Sequence, residues 1–221
     1  MAAYVVWDWN GTLFDDVALC IQVMNGMLEK RGLPRLAGPE QYRQVFTFPV
    51  EEYYKALGFD FGREPFSQLA VEYISEYDRR ALGCPLRAGA EAALAELRRR
   101  GVKQVIASAS HKKALEEQVA HFGIAGYFQA LLGVEDSLGR GKSGLAGDFL
   151  RQAGAGGDAL FVGDTLHDFE TAAALGCPCA LLTGGHQARP RLESTGAPVL
   201  DTFPQLLALP QLLALPQLAG R

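Results

Sequence analysis

Several segments of the chain carry side chains of the types that bind a phosphate group together with a divalent cation. Asp8 and Asn10 stand two residues apart in WDWNGT, and Thr12 follows them. The later segments are IASAS with Ser108 and Ala109, GRGKSG with Lys142, and GDTLHD with Asp164 and Asp168. Carboxylates are preferred ligands of hard divalent cations, and a lysine with a hydroxyl suits a phosphate group. The sequence therefore predicts phosphate and metal chemistry, provided that the fold brings these segments together.

Apolar runs typical of buried strands precede most of these segments. Strands are predicted over 4–9, 103–108, 130–134, 159–163 and 178–183, alternating with helices over 89–101, 111–122, 143–153 and 167–175. This alternation is typical of a parallel sheet covered by helices on both faces. Ligands bind such sheets beyond the carboxyl ends of the strands, where the listed residues fall. We predict an α/β fold, a doubly wound Rossmann-like parallel sheet.

Residues 16–83 differ in character from the rest of the chain. A helical apolar pattern runs from Asp16 to Arg31, and the following stretch is rich in aromatic residues and interrupted by proline and glycine. No convincing strand pattern occurs there. We predict an inserted all-helical cap domain over 16–83 and a core domain formed by 1–15 and 84–221.

The order of these motifs resembles the haloacid dehalogenase superfamily of hydrolases, of the phosphoglycolate phosphatase and β-phosphoglucomutase type with a helical cap. DWNGT resembles its DxDGT motif, IASAS its hydroxyl motif, GRGKSG its lysine motif and GDTLHD its GDxxxD motif. The resemblance spans residues 5–183, and the helical stretch falls where that family inserts its cap. Each motif alone is weak evidence, whereas four in order, each at a strand end, are specific.

The resemblance implies a phosphatase that acts on a small phosphorylated metabolite, such as phosphoglycolate, through an aspartyl-phosphate intermediate. Asp8 would be the nucleophile. The implied Mg²⁺ ligands are Asp8, the backbone carbonyl of Asn10, Asp164 and Asp168. The implied phosphate-binding groups are Lys142, Ser108, Thr12 and the backbone N–H groups of Gly11 and Ala109. Two residues have simpler structural interpretations, because Asp168 and Ser108 could each merely cap a helix.

Asn10 departs from the family pattern, in which a second aspartate protonates the leaving group and later activates water. An amide cannot do either, and losing acid–base catalysis costs on the order of 10²–10⁴-fold in rate. One interpretation is a slow phosphatase, or one whose acyl or aryl leaving group needs no proton, or one with an acid supplied by His111 or His167. A second is a non-catalytic protein that binds phosphate or a partner. A third, a metal-free dehalogenase, is disfavoured by the Asp164 and Asp168 pair.

Composition excludes other classes of function. With 25 acidic and 21 basic residues and no basic block, nucleic-acid binding is unsupported. No apolar run reaches a membrane span and the N-terminus lacks signal-peptide features, so we expect a cytoplasmic location. The four cysteines are too few and too scattered for a disulfide scaffold.

Two further expectations concern the cap and the tail. The cap cations Arg43, Lys55 and Arg63 are candidates to meet an anionic substrate. The repeated Pro-Gln-Leu-Leu-Ala-Leu near the C-terminus is expected to be a peripheral closing segment, because proline every sixth residue prevents one long helix.

Overall fold

The computed structural model describes residues 4–135, 141–155 and 157–213, and within these ranges six strands form one parallel sheet. The strands are β1 (Tyr4–Trp7), β2 (Lys103–His111), β3 (Ala130–Val134), β4 (Ala159–Gly163), β5 (Cys179–Leu182) and β6 (Val199–Leu200). Their spatial order is β3-β2-β1-β4-β5-β6. The order reverses direction at β1, so the site expected at a topological switch point lies at the end of this strand. The predicted doubly wound α/β fold is confirmed.

Helices connect the strands as the sequence periodicity predicts. Their bounds are α1 (Val17–Lys30), α2 (Pro39–Val45), α3 (Val50–Ala56), α4 (Phe66–Ala81), α5 (Ala90–Arg99), α6 (Lys112–His121), α7 (Lys142–Gln152), α8 (Leu166–Ala174), α9 (Arg189–Glu193), α10 (Phe203–Leu207) and α11 (Pro210–Leu213). Gly101 and Gly123 adopt positive φ just beyond α5 and α6, as helix-ending glycines do. None of the described helices combines the length and apolar character that a membrane crossing requires.

The central strand β1 is buried on both faces. Val5 and Trp7 belong to one hydrophobic cluster, and Tyr4 and Val6 belong to a second one on the opposite face. Because side chains alternate along a strand, this division is what helices on both sides of a sheet require. The N–H of Asp8, just past the strand, donates to Val162 O at 2.8 Å. The sheet therefore fixes Asp8 at its carboxyl edge.

Helices α1–α4 follow β1 and contain a third hydrophobic cluster, which includes Met24, Tyr42 and Leu69. Arg31, just after α1, forms ion pairs with Glu64 at 2.6 Å and with Glu72 of α4 at 2.7 Å. The helical nature of this stretch agrees with the sequence pattern. Its division from the core at residues 16–83 stays a prediction.

The end of the described chain differs from expectation in two ways. Strand β6, of two residues, has too short an apolar pattern to be predicted. The first part of the repeat packs into the main core through Phe203, Leu206 and Leu212, so its described part is not merely peripheral. Residues 214–221, which complete the repeat, lie outside the described residues.

Two arginines join the helical stretch to the loop and helix that follow β5. Arg43 of α2 donates to the carbonyl oxygens of Gly184 and Gly185, both at 2.9 Å. Arg191 of α9 donates to Phe46 O at 2.5 Å. We call these contacts the arginine latch. It holds α2 and the residues after it against the loop and helix that follow the fifth strand.

Candidate active site

A cavity of about 310 Å³ lies between the strand ends and the helical stretch. Its floor includes Asp8, Asn10, Ser108, Lys142 and Asp168, all from the segments that the sequence singles out. Its walls include aromatic side chains from α2 to α4. The predicted convergence at the switch point therefore holds for most of the predicted residues, with the exceptions below.

The strand-end cluster consists of Asp8, Lys142, Asp164 and Asp168. The Lys142 ammonium is 4% exposed and donates to Asp8 Oδ1 at 2.5 Å and to Asp168 Oδ1. Helix α7 begins at Lys142, where the helix dipole opposes a cation, so the two carboxylates must stabilise it. One lysine thus bridges the first motif and the last.

Asp164 is fully buried and held through both oxygens. Its Oδ1 accepts from Thr12 Oγ1 at 2.7 Å, and its Oδ2 accepts from the backbone N–H of His186 at 2.5 Å. Gly11, with φ +73°, must be glycine, because a Cβ there would lie 2.5 Å from Asp164 Oδ2. Thr12 was expected at the phosphate, but its buried hydroxyl instead positions Asp164.

Asp168 has the capping role that the sequence left open. Its Oδ2 accepts from Thr165 N at 2.9 Å and from Thr165 Oγ1 at 2.7 Å, completing a capping box at the start of α8. Its other oxygen contacts Lys142. Whether it also ligates a metal stays a prediction.

Burial governs the protonation of this cluster. Burial raises the pKa of Asp8 to about 8 despite Lys142, and the charges of Asp168 and Asp164 add to the rise. Burial likewise raises the pKa of Asp164, although His186 opposes it. For Asp168, burial is outweighed by Lys142, which holds its pKa below the ordinary value. Burial would lower the pKa of Lys142, but the opposite effect of Asp168 and Asp8 is larger, and the pKa lies above its ordinary value. The amine is therefore always a cation.

Asn10 stands between two sets of partners. Its Nδ2 donates to Asp16 Oδ2 at 2.8 Å and to the Tyr77 hydroxyl at 2.7 Å. Its Oδ1 accepts from Ser110 Oγ at 2.7 Å. Because a carboxylate can only accept, the contact with Asp16 fixes which end of the amide faces it. Asn10 is therefore held by its neighbours rather than free to swing.

The histidine cluster consists of Asp16, His186, Tyr42, Tyr77 and Cys20. Asp16 Oδ1 accepts from the Gly11 N–H at 3.0 Å and faces His186 Nε2 at 3.4 Å. Its Oδ2 accepts from Tyr77 at 2.7 Å, and the other imidazole nitrogen, His186 Nδ1, contacts Tyr42 Oη at 2.7 Å. This cluster connects the loop after β1, the helical stretch and the loop after β5.

The two ionisable groups of the histidine cluster stabilise each other's charge. Burial would lower the pKa of His186, but Asp16 raises it to about 9. Burial would raise the pKa of Asp16, but His186 together with Tyr77 and Asn10 lowers it. At neutral pH the pair is therefore an imidazolium and a carboxylate.

The remaining predicted residues fall into three groups. Ser108 and Ala109 line the cavity. The Ser108 hydroxyl lies 3.5 Å from Asn10 Oδ1. The Gly11 N–H, expected at a phosphate oxygen, is instead taken by Asp16 and by Phe14 O. His111 and His167 line the cavity too.

The predicted cap cations do not reach the cavity. In the described structure Arg43, Lys55 and Arg63 are absent from its lining. Arg43 donates to main-chain carbonyls in the latch, while Lys55 and Arg63 pair with Glu52 and Asp60 on the surface. Short-range acid partners within the helical stretch therefore bind two of these cations.

The donor set of the strand-end cluster fits a hard divalent cation. One carboxylate oxygen from each of Asp8, Asp164 and Asp168 lies within 4.8 Å of the others. When ionised, the three carboxylates outnumber the single Lys142 ammonium, and the raised pKa values of Asp8 and Asp164 reflect burial together with that imbalance. An all-oxygen donor set of this kind suits Mg²⁺. Ligand atoms of Asp16, Cys20 and His186 are equally close, but the His186 imidazolium already balances the charge of Asp16 and has no lone pair for a metal.

Sequence reasoning missed Asp16, Tyr77 and His186. His186 follows β5 by four positions, so the strand-end rule that found Asp164 points to it as well. Asp16 lies only eight residues beyond Asp8, where it looked like the start of a helix. Tyr77 carried no signal among the many aromatic residues of the helical stretch.

The chain belongs to the haloacid dehalogenase-like hydrolase family, whose model matches residues 5–182. A phosphoglycolate phosphatase from Rhodobacter capsulatus is 27% identical, covering 86% of this chain and 88% of the relative. Tyrosine-protein kinase PtkA from Mycobacterium tuberculosis is 26% identical, covering 89% of this chain and 67% of the kinase. The family and the phosphoglycolate phosphatase relatives support a phosphatase.

Solved structures share the fold. A haloacid dehalogenase-like family protein from Streptococcus pneumoniae superimposes with a TM-score of 0.80 at 18% identity, covering 94% of this chain and 99% of the other. CbbY from Rhodobacter sphaeroides, an aspartate-to-asparagine mutant in complex with xylulose-(1,5)bisphosphate, gives 0.72 at 22% identity, covering 96% and 99%. At these identities the likeness establishes the architecture alone.

Proposed function

We propose that the protein is a Mg²⁺-dependent phosphatase of small phosphorylated metabolites that acts through an aspartyl-phosphate at Asp8. The observation that carries the proposal is the Asp8–Lys142 contact of 2.5 Å at the floor of the cavity. Relatives named for phosphoglycolate make that compound the first one to test. The proposed division into core and cap places the leaving group on the cap side, and we expect the protein to work in the cytoplasm.

In this proposal Asp8 attacks phosphorus. An oxygen of its carboxylate forms a bond to phosphorus while the bond to the leaving oxygen breaks, and water later cleaves the acyl phosphate to release inorganic phosphate. Lys142 favours the ionised form of Asp8 and attracts the anionic substrate. Asp168 and Asp8 keep Lys142 in place through its two hydrogen bonds.

Asp8, Asp164 and Asp168 would hold the metal, with the backbone carbonyl of Asn10. Bound there, Mg²⁺ would offset the repulsion between an anionic nucleophile and an anionic substrate. The Thr12 hydroxyl and the backbone N–H of His186 hold the Asp164 carboxylate in one orientation, which suits a metal ligand. Such fixed orientation by neighbouring donors is what metal ligands generally require.

Phosphate release with and without Mg²⁺ tests the proposal. The wild type is compared with Asp8→Asn and with Asp15→Asn, the same change at an exposed neighbour outside the cavity lining. We expect Mg²⁺-dependent turnover that falls at least about 10³-fold in Asp8→Asn, as for loss of a nucleophile. Turnover that survives in Asp8→Asn would overturn the proposal.

Asn10→Asp separates a slow enzyme from a silenced one. The new carboxyl lies beside Asp16, which favours its protonated form and makes it a suitable acid. A gain in turnover of up to about 10²-fold would show that proton delivery limits the wild type. Turnover in this variant but none in the wild type would instead favour a non-catalytic phosphate-binding protein.

A further inference from the structure

Aromatic side chains of the helical stretch form a large part of the cavity lining, which we call the aromatic wall. Phe46, Phe48, Tyr53, Tyr73 and Tyr77 all line it. Phe46 and Phe48 meet edge to face with their ring centroids 5.4 Å apart, and the Tyr73 and Tyr77 rings stack at 6.0 Å. Such walls favour a flat apolar group, because aromatic rings gain both burial and quadrupole interactions from another ring.

The same cavity offers little to a second anion. Among the described residues of its lining, Lys142 is the one lysine or arginine, and Asp8 and Asp168 already take its hydrogen bonds. The positive charge of His186 is met by Asp16. Asp78 adds negative charge to the lining. A substrate carboxylate beyond the phosphate would therefore be repelled rather than bound.

We propose that the substrate is an aryl phosphate, whose ring lies among the aromatic side chains of the cavity wall. The proposal rests on the proposed phosphatase function and names its substrate class. It also removes the need for an acid at position 10 in the first chemical step. As Asp8 bonds to phosphorus, the bond to the phenolic oxygen breaks and its electron pair stays on that oxygen as a phenolate. A phenol ionises near pH 10, so the phenolate leaves without the proton that Asn10 cannot donate and takes one from water afterwards.

Binding of unreactive phosphonates tests the pocket independently of turnover. Calorimetry in Mg²⁺ compares benzylphosphonate, the analogue of phenyl phosphate, with cyclohexylmethylphosphonate and with 3-phosphonopropionate, the analogue of phosphoglycolate. We expect benzylphosphonate to bind at least about tenfold more tightly than 3-phosphonopropionate and about threefold more tightly than the cyclohexyl compound. Equal or tighter binding of 3-phosphonopropionate would overturn the proposal.

Turnover distinguishes failure of this inference from failure of the phosphatase. Phenyl phosphate should exceed cyclohexyl phosphate and phosphoglycolate in kcat/KM by at least about tenfold in the wild type, and Asn10→Asp should narrow the gap to cyclohexyl phosphate. Asp8-dependent turnover with a preference for phosphoglycolate would support the proposed phosphatase function and refute the aryl phosphate substrate. Absence of any Asp8-dependent turnover, with tight benzylphosphonate binding, would refute the phosphatase function and with it the aryl substrate, leaving only a pocket that binds aryl groups.

Discussion

The strand-end cluster and the histidine cluster are neighbours, both buried, yet their charges balance differently. When ionised, the first has the three carboxylates of Asp8, Asp164 and Asp168 against one ammonium, and the raised pKa values of Asp8 and Asp164 reflect burial together with that imbalance. The second has one carboxylate against one imidazolium. A buried cluster in which carboxylates outnumber cations is stabilised by a further cation, whereas a neutral pair does not need one. The comparison suggests a ligand-binding role for the first cluster and a positioning role for the second.

Removing the ammonium should have the largest effect. Lys142→Met leaves Asp8 and Asp168 unpaired in a buried site, and breaking such a pair costs about 3–5 kcal/mol of the free energy of unfolding. Urea denaturation without metal measures it. Lys112→Met provides the matched control, because its pair with Glu135 is exposed and worth at most about 1 kcal/mol. Equal losses in the two variants would contradict the assigned charge imbalance.

The pH dependence of unfolding in EDTA should report the histidine cluster. The pKa of His186 is raised from 6.5 to about 9. Its contribution to the free energy of unfolding is therefore complete below pH 6.5 and is lost as the pH rises to about 9. The pKa of Asp16 is lowered, so its contribution is present above about pH 4 and is lost under acid.

His186→Gln isolates this contribution from that of Asp8, whose raised pKa also makes stability fall towards pH 8. The difference in the free energy of unfolding between the wild type and this variant should shrink by about 3 kcal/mol between pH 6.5 and 9. A difference that stays constant across this range would mean that the imidazole is neutral.

Mg²⁺ should stabilise the folded protein through the strand-end cluster alone. At a hundred times its Kd a ligand that binds the native state adds about 2.7 kcal/mol, visible as a rise in Tm. Asp164→Asn should abolish the rise, because it removes one of three carboxylates. Asp16→Asn should retain it. A rise that depends on Asp16 instead would reverse the roles of the two clusters.

Exchanging the amide of Asn10 and the carboxylate of its neighbour Asp16 should have the smallest effect. Asn10→Asp places a second carboxylate 2.8 Å from Asp16 and should cost about 1–2 kcal/mol at neutral pH, growing as the pH rises. The double variant Asn10→Asp with Asp16→Asn should recover most of this loss. Additive losses in a double-mutant cycle would show that the two positions do not interact.

The two clusters also differ in how far the sequence could reveal them. The strand-end cluster follows from a local rule, because Asp8 and Asp164 each follow a buried strand directly. The histidine cluster depends on how the helical stretch docks on the core, since Tyr77 and Asp16 are 61 positions apart in the chain. Thr12 shows the same limit, because a conformational detail of the loop turns its hydroxyl toward Asp164 rather than a phosphate.

The two sides of the arginine latch differ in how well they tolerate substitution. Arg43 and Arg191 donate to carbonyl oxygens of the main chain, and every amino acid supplies such an oxygen. Substitutions at the accepting positions therefore keep the acceptor atoms wherever the new side chain permits the backbone path. Loss of either arginine has no such compensation. Variation on the acceptor side would therefore leave the contact between the helical stretch and the segment after β5 in place, and the mutations that remove it are concentrated at two positions of the chain.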